Sequence, residues 1–69
     1  MIGELIEIIE QEGYHWDVAN TSGLREARIW DWPNVKGRYR TNENESPFLM
    51  LSKALIIARP DLEQKVKEL

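Results

Sequence analysis

The sequence predicts an α+β fold, a three-stranded antiparallel meander packed against an N-terminal and a C-terminal helix, in the order α-β-β-β-α with a short terminal helix. Three observations predict it. Residues 47–59 are apolar on almost every side and are bracketed by Ser46-Pro47 and Pro60. Residues 14–41 alternate and are broken twice by turn-forming residues. Residues 2–12 place isoleucines and a leucine at helical intervals among glutamates.

Taken in order, Ile2, Leu5, Ile6 and Ile9 share one helical face while Glu4, Glu7 and Glu10 lie between them, so residues 2–12 read as an amphipathic helix. Gly13 stands where a left-handed cap is expected. A helix this short does not hold alone and needs a sheet to rest on. Tyr14, Trp16 and Val18 then alternate with His15 and Asp17 over 14–19, the period of a half-buried strand. Asn20-Thr21-Ser22-Gly23 is turn chemistry, and a second strand is expected over about 24–31.

Asp31-Trp32-Pro33-Asn34 interrupts the ladder because Pro33 has no N–H to donate, and a third strand follows over about 35–41. Thr41-Asn42-Glu43-Asn44-Glu45 reads as a polar loop. In the segment after it, Ser46 is suited to cap the first free amides, Pro47 fits the first helical position, and Pro60 ends the run. Phe48, Leu51, Leu55 and Ala58 form one stripe, and Leu49, Met50, Ala54, Ile56 and Ile57 leave only Ser52, Lys53 and Arg59 polar. A helix that apolar calls for cover on most of its circumference. Beyond Pro60, Leu62, Val66 and Leu69 share the face of a second short helix, with Asp61 and Glu63 near its start. Both long helices are expected on one sheet face; one on each face, making three layers, is the alternative.

A chain of 69 residues with no internal repeat or linker is read as one compact domain over 1–69, too small for an enclosed catalytic cleft of ordinary size. It has no cysteine, hence no disulfide framework and no thiolate metal site. Its acidic N-terminus lacks the basic start of a secretory signal, and its most apolar segment falls short of the roughly 20 residues that span a bilayer. These readings give a soluble, cytoplasmic protein with no membrane partner. The net charge of −3 weighs against a dedicated nucleic-acid binder. Charge is nevertheless segregated: residues 1–13 carry four glutamates and no base, whereas residues 14–41 carry five Lys or Arg against three acids.

Motifs for chemistry are sparse. His15 is the sole histidine, so no multi-histidine metal site exists, and Asp17 two residues along the same strand face is its one candidate orienting partner. A surface histidine beside a surface aspartate explains that pair as an ordinary feature. Glu4 and Glu7 on a helix read in the same way as a solvated face. The glycines at 3, 13, 23 and 37 are isolated and form no phosphate loop, and no cofactor or small-molecule substrate is indicated. An enzyme is not expected.

The outer face of the sheet is more informative. Lys36, Arg38 and Arg40 share one face of the third strand and Val35, Gly37, Tyr39 and Thr41 the other, while in the second Ala27 and Ile29 oppose Arg28, Trp30 and Trp32. If Ala27, Ile29, Tyr39, Trp16 and Val18 meet the helices, then His15, Arg28, Trp30, Arg38 and Arg40 form a basic platform around a tryptophan. Such a platform suits stacking and ion pairing.

Glu12-Gly13-Tyr14 closing an N-terminal helix, Arg28-Ile29-Trp30 on a hairpin, and a Ser46-Pro47 helix carrying Ser52-Lys53-Ala54-Leu55 resemble the small α-β-α sandwich domains of phages, prophages and cyanobacterial genomes. That resemblance implies an accessory protein of uncharacterised role and brings no catalytic motif. The element order also resembles that of the double-stranded-RNA-binding domain, which places lysines at the start of its last helix. Here that start is Ser46-Pro47-Phe48-Leu49, preceded by Glu43 and Glu45, and the likeness fails at those residues. The expected function is a non-enzymatic protein-interaction module, of phage-type accessory or inhibitor kind, that binds a protein partner or a second copy of itself as a homodimer through His15, Arg28, Trp30, Arg38 and Arg40. The alternative is a module for single- or double-stranded RNA or DNA using the same Arg/Trp face.

Overall fold

In the computed structural model, which describes residues 2–69, the chain runs α1 (Ile2–Gln11), β1 (His15–Thr21), β2 (Leu24–Asp31), β3 (Asn34–Thr41) and α2 (Pro47–Ala58), then a 3-10 turn (Pro60–Leu62) and α3 (Glu63–Lys67). The three strands form one antiparallel sheet in the order β1-β2-β3. The α+β meander that the alternation predicts is therefore present.

Gly13 ends α1 with φ +85°, a conformation that costs a side-chain-bearing residue. Its N–H donates to Glu10 O at 3.0 Å and that of Tyr14 to Ile9 O at 3.1 Å, so the last carbonyls of the helix are satisfied as β1 begins. The buried face of α1 is Leu5, Ile8 and Ile9, while Ile2 is exposed and Ile6 half-buried. This turns the face away from the expected Ile2-Leu5-Ile6-Ile9 stripe. Spacing identifies the apolar side of a helix, but the position of its neighbours decides which margin of that side is covered.

Thr21 and Leu24 pair, leaving Ser22 (φ 52°) and Gly23 (φ 80°) as a two-residue loop whose left-handed conformations match the twist of the flanking strands. Asp31 and Asn34 pair across Trp32 and Pro33, which are joined by a cis peptide. Just after the second turn β3 carries a bulge: Ile29 faces Gly37 and Trp30 faces Val35, so Lys36 is the extra residue. The strict alternation that grouped Val35 with Gly37, Tyr39 and Thr41 fails here. Val35 is 45% exposed and borders Trp30 on the outer face.

The inner face is built from Ala27, Ile29 and Gly37, all buried. A Cβ on Gly37 would lie 2.1 Å from the carbonyl oxygen of Ala54 and 3.0 Å from Cβ of Ala58, so the backbone of α2 rests directly on β3. Leu5, Ile8 and Ile9 join Met50, Leu51, Ala54 and Leu55 over that face, and Leu62 and Val66 close one end. Both long helices lie on the same side of the sheet, in two layers.

Ser46 caps α2 as its position predicts, its Oγ accepting from Leu49 N–H at 3.2 Å. Ser52, although buried, donates to the carbonyl of Phe48 at 2.7 Å. Leu49 and Ile57 (53% exposed) remain on the solvent side, so α2 is covered over less of its circumference than its composition suggests. One sheet face and two flanking helices reach only part of a cylinder.

Two polar clusters fasten the connections. Glu45 accepts from the Tyr39 hydroxyl and from Lys53 Nζ (2.9 Å), while Arg25 donates to the Glu45 carbonyl at 2.7 Å. The Tyr39 hydrogen bond and the Lys53 ammonium hold the Glu45 carboxyl below its ordinary pKa. Arg59 joins Asp61 (2.8 and 2.9 Å) to Glu12 (2.9 Å), linking the end of α2 to that of α1. Its hydrogen bonds with Asp61, Tyr14 and Glu12 raise the Arg59 pKa further, and the same guanidinium lowers that of Asp61. Among the described residues no helix is long and apolar enough to cross a membrane.

Candidate functional site on the outer sheet face

Because side chains alternate along a strand, the register that buries Ala27 and Ile29 sends Glu26, Arg28 and Trp30 to the opposite face. Pairing then sets His15 and Val35 on either side of Trp30, Asp17 and Arg38 on either side of Arg28, and Ala19 and Arg40 on either side of Glu26. Among the described residues no helix covers this surface. His15, Arg28, Trp30, Arg38 and Arg40 are all brought together on it.

The face has two parts. Toward the β1–β2 turn, Glu26 sits among three arginines: Arg40 donates to it directly, Arg38 Nε lies 3.3 Å away and Arg28 Nε 3.8 Å. The Arg40 hydrogen bond, with charge from Arg38 and Arg28, lowers the Glu26 pKa. Arg28 also grips Asp17 with both ends of its fork, Nε to Oδ1 at 2.9 Å and the second pair through Oδ2. The platform expected to be basic is therefore partly neutralised from within.

The other part is aromatic. His15 stacks on Trp30 with ring centroids 5.7 Å apart and planes inclined by 27°, and the Arg28 guanidinium carbon lies 5.6 Å from the Trp30 ring. Trp32, at the tip of the second hairpin, is 78% exposed. An open groove of about 230 Å³ runs between Arg28, Trp30, Trp32, Pro33 and Val35. A second, of about 460 Å³, lies on the far side of Trp30 and is lined by Glu10, Gly13, Tyr14, His15, Trp16 and Trp30. Trp30 is thus a ridge between a groove bordered by an arginine and one bordered by a glutamate.

Sequence reasoning missed Glu26, Val35, Pro33 and Glu10. A usable signal exists for the first: a two-residue turn at Ser22-Gly23 places Asp17 opposite Arg28 and Ala19 opposite Glu26. Nothing local signals the bulge that moves Val35. The suggested His15–Asp17 partnership is not made, since Asp17 gives its carboxylate to Arg28 and His15 lies against Trp30. No group of three His, Cys, Asp or Glu side chains among the described residues is placed to hold a metal ion. What the face offers is stacking on indole rings, guanidinium hydrogen bonds, and ion pairs open to exchange with those of a partner.

No protein-family model, curated protein or solved structure matches this chain.

Proposed function

We propose that this protein is a non-enzymatic interaction module that docks a protein partner on the outer face of its sheet. The observation that carries this reading is a face free of helices on which Trp30 and the largely exposed Trp32 stand beside Arg28. Tryptophan and arginine are the side chains that most often dominate protein interfaces, and exposed indole surface in a small domain loses unfavourable water contact on docking. A role as a phage-type accessory or inhibitor protein rests on the resemblance of its helix-closing and hairpin residues, and the cytoplasm is its expected location.

Substituting Trp30→Ala together with Arg38→Ala tests the reading. The fold should persist by circular dichroism while association, measured by sedimentation or by pull-down with a tagged chain, is lost. Association that survives the double substitution overturns it. Binding of single-stranded nucleic acid by the same face is the second reading, favoured by Trp30 with arginines on the adjoining rows. It ranks lower because Asp17 and Glu26 already occupy those arginines. Its mark would be an affinity that falls steeply with salt as counterions are released.

A further inference from the structure

The outer face is polarised across its strands. On the β1 side stand Glu10, at the margin, and Asp17; on the β3 side stand Lys36, Arg38 and Arg40; Glu26, Arg28 and Trp30 run down the middle. Ala19 leaves a gap on the β1 side level with Arg40 on the β3 side. Among the described residues neither Glu10 nor Lys36 makes an ion pair, and Arg38 and Arg40 share the single carboxylate of Glu26. A surface whose left half is acidic and whose right half is basic complements itself after a half-turn about its midline.

Building on the interaction reading above, we infer that the partner is a second copy of this chain, docked face to face about a two-fold axis that runs along β2. That axis lays each β1 side on the partner's β3 side. The Lys36 end of one copy then enters the partner's groove between Glu10, Tyr14, His15, Trp16 and Trp30, where a carboxylate and aromatic rings suit an ammonium group. Asp17 comes opposite Arg38, the gap at Ala19 receives Arg40, and the outward residues of β2 meet their own copies at the axis: Trp30 on Trp30, and Arg28 and Glu26 on theirs with their charges already paired to Asp17 and to Arg38 and Arg40. A two-fold axis across the strands instead would set acidic side on acidic side and basic on basic, which like-charge repulsion disfavours. The contact is isologous, so it closes at two copies and does not propagate.

Area sets its strength. Three strands of seven to eight residues cover roughly 14 by 25 Å at the usual spacings, about 350 Å² in projection before Trp32 and Glu10 extend it. That is below the roughly 800 Å² per partner of a standard interface. The dimer is therefore a weak, reversible one that salt weakens further.

Sedimentation equilibrium of the purified chain, from about 10 µM to about 1 mM, with charge-reversal variants tests the inference. Glu10 and Lys36 are exposed and without ion pairs among the described residues, so reversing either leaves the fold undisturbed. Glu10→Lys or Lys36→Glu alone should weaken self-association about tenfold, because each dimer then holds two like-charged contacts. An equimolar mixture of the two variants should restore dimerisation to within about threefold of the native chain, because each meets its complement. Single reversals without effect, or a mixture no better than its components, overturn the two-fold arrangement. A native chain that stays monomeric throughout the range overturns self-docking altogether, and the Trp30→Ala/Arg38→Ala pull-down then decides separately whether the face serves a different protein.

Discussion

The two faces of this sheet share the same three strands, yet opposite physics organises them. The inner face is steric: Ala27, Ile29 and Gly37 are small or closely fitted, and α2 approaches until its backbone leaves no room for a Cβ at Gly37. The outer face is electrostatic and aromatic, with Asp17 and Glu26 among arginines and Trp30 and Trp32 rising beside them. Inner contacts depend on shape and tolerate little change. Outer contacts are wet, exchangeable and individually weak. The difference teaches that stability and recognition can be assigned to alternate residues of one strand.

Breaking the inner face should cost most. Gly37→Ala drives a methyl group into the Ala54 carbonyl, which belongs to backbone and cannot swing aside, so α2 must lift off β3. A loss of about 3 kcal/mol or more is expected by urea denaturation, near the upper end for overpacked sites. Leu55→Ala follows. It empties a fully buried position between sheet and helices and should cost roughly 2–5 kcal/mol in the same measurement.

A smaller effect sharpens the comparison from the electrostatic side. Glu45, Asp61 and Glu26 all have folded pKa values below those of the free carboxylic acids. A lowered folded pKa means that the unfolded chain binds the proton more readily, so the stabilisation is complete above about pH 4.5 and fades as pH falls through the depressed values. Thermal unfolding should therefore shift to lower temperature on acidification below about pH 4.5. Glu45→Gln should flatten part of that acid limb and, because the Glu45 hydrogen bond is the main cause of the raised Lys53 pKa, part of the alkaline limb above about pH 10.5 as well. An acid limb unaltered in Glu45→Gln would remove the Tyr39–Glu45–Lys53 cluster as a contributor.

The division between faces also explains what the sequence made legible. Ser46-Pro47 and Pro60 delimit α2 by local chemistry, and the alternation of β1 and β2 follows from burial on one side, so these elements could be read directly. The five residues proposed for the outer face fall together because period-two alternation carries them there. What escaped reading depends on partners distant in sequence. Lys36 is the extra residue between the turn at Trp32-Pro33 and the closely packed Gly37, and only the second of these touches α2. Val35 changes faces as a result. Ile8 replaces Ile2 in the core, and Ile57 stays wet, because neighbours cover one side of each helix and the apolar pattern alone does not say which. Glu26 went unnoticed since its weight comes from three arginines on two strands, gathered by register.

The claim that one face holds the fold and the other is left for contact is tested most directly by urea denaturation of Trp30→Ala/Arg38→Ala beside the native chain. These side chains lie outside the buried cluster, so the unfolding free energy should change by no more than about 1.5 kcal/mol. A loss of about 3 kcal/mol or more, comparable to that of Leu55→Ala, would show that the outer face is part of the structural core and would contradict the separation of roles.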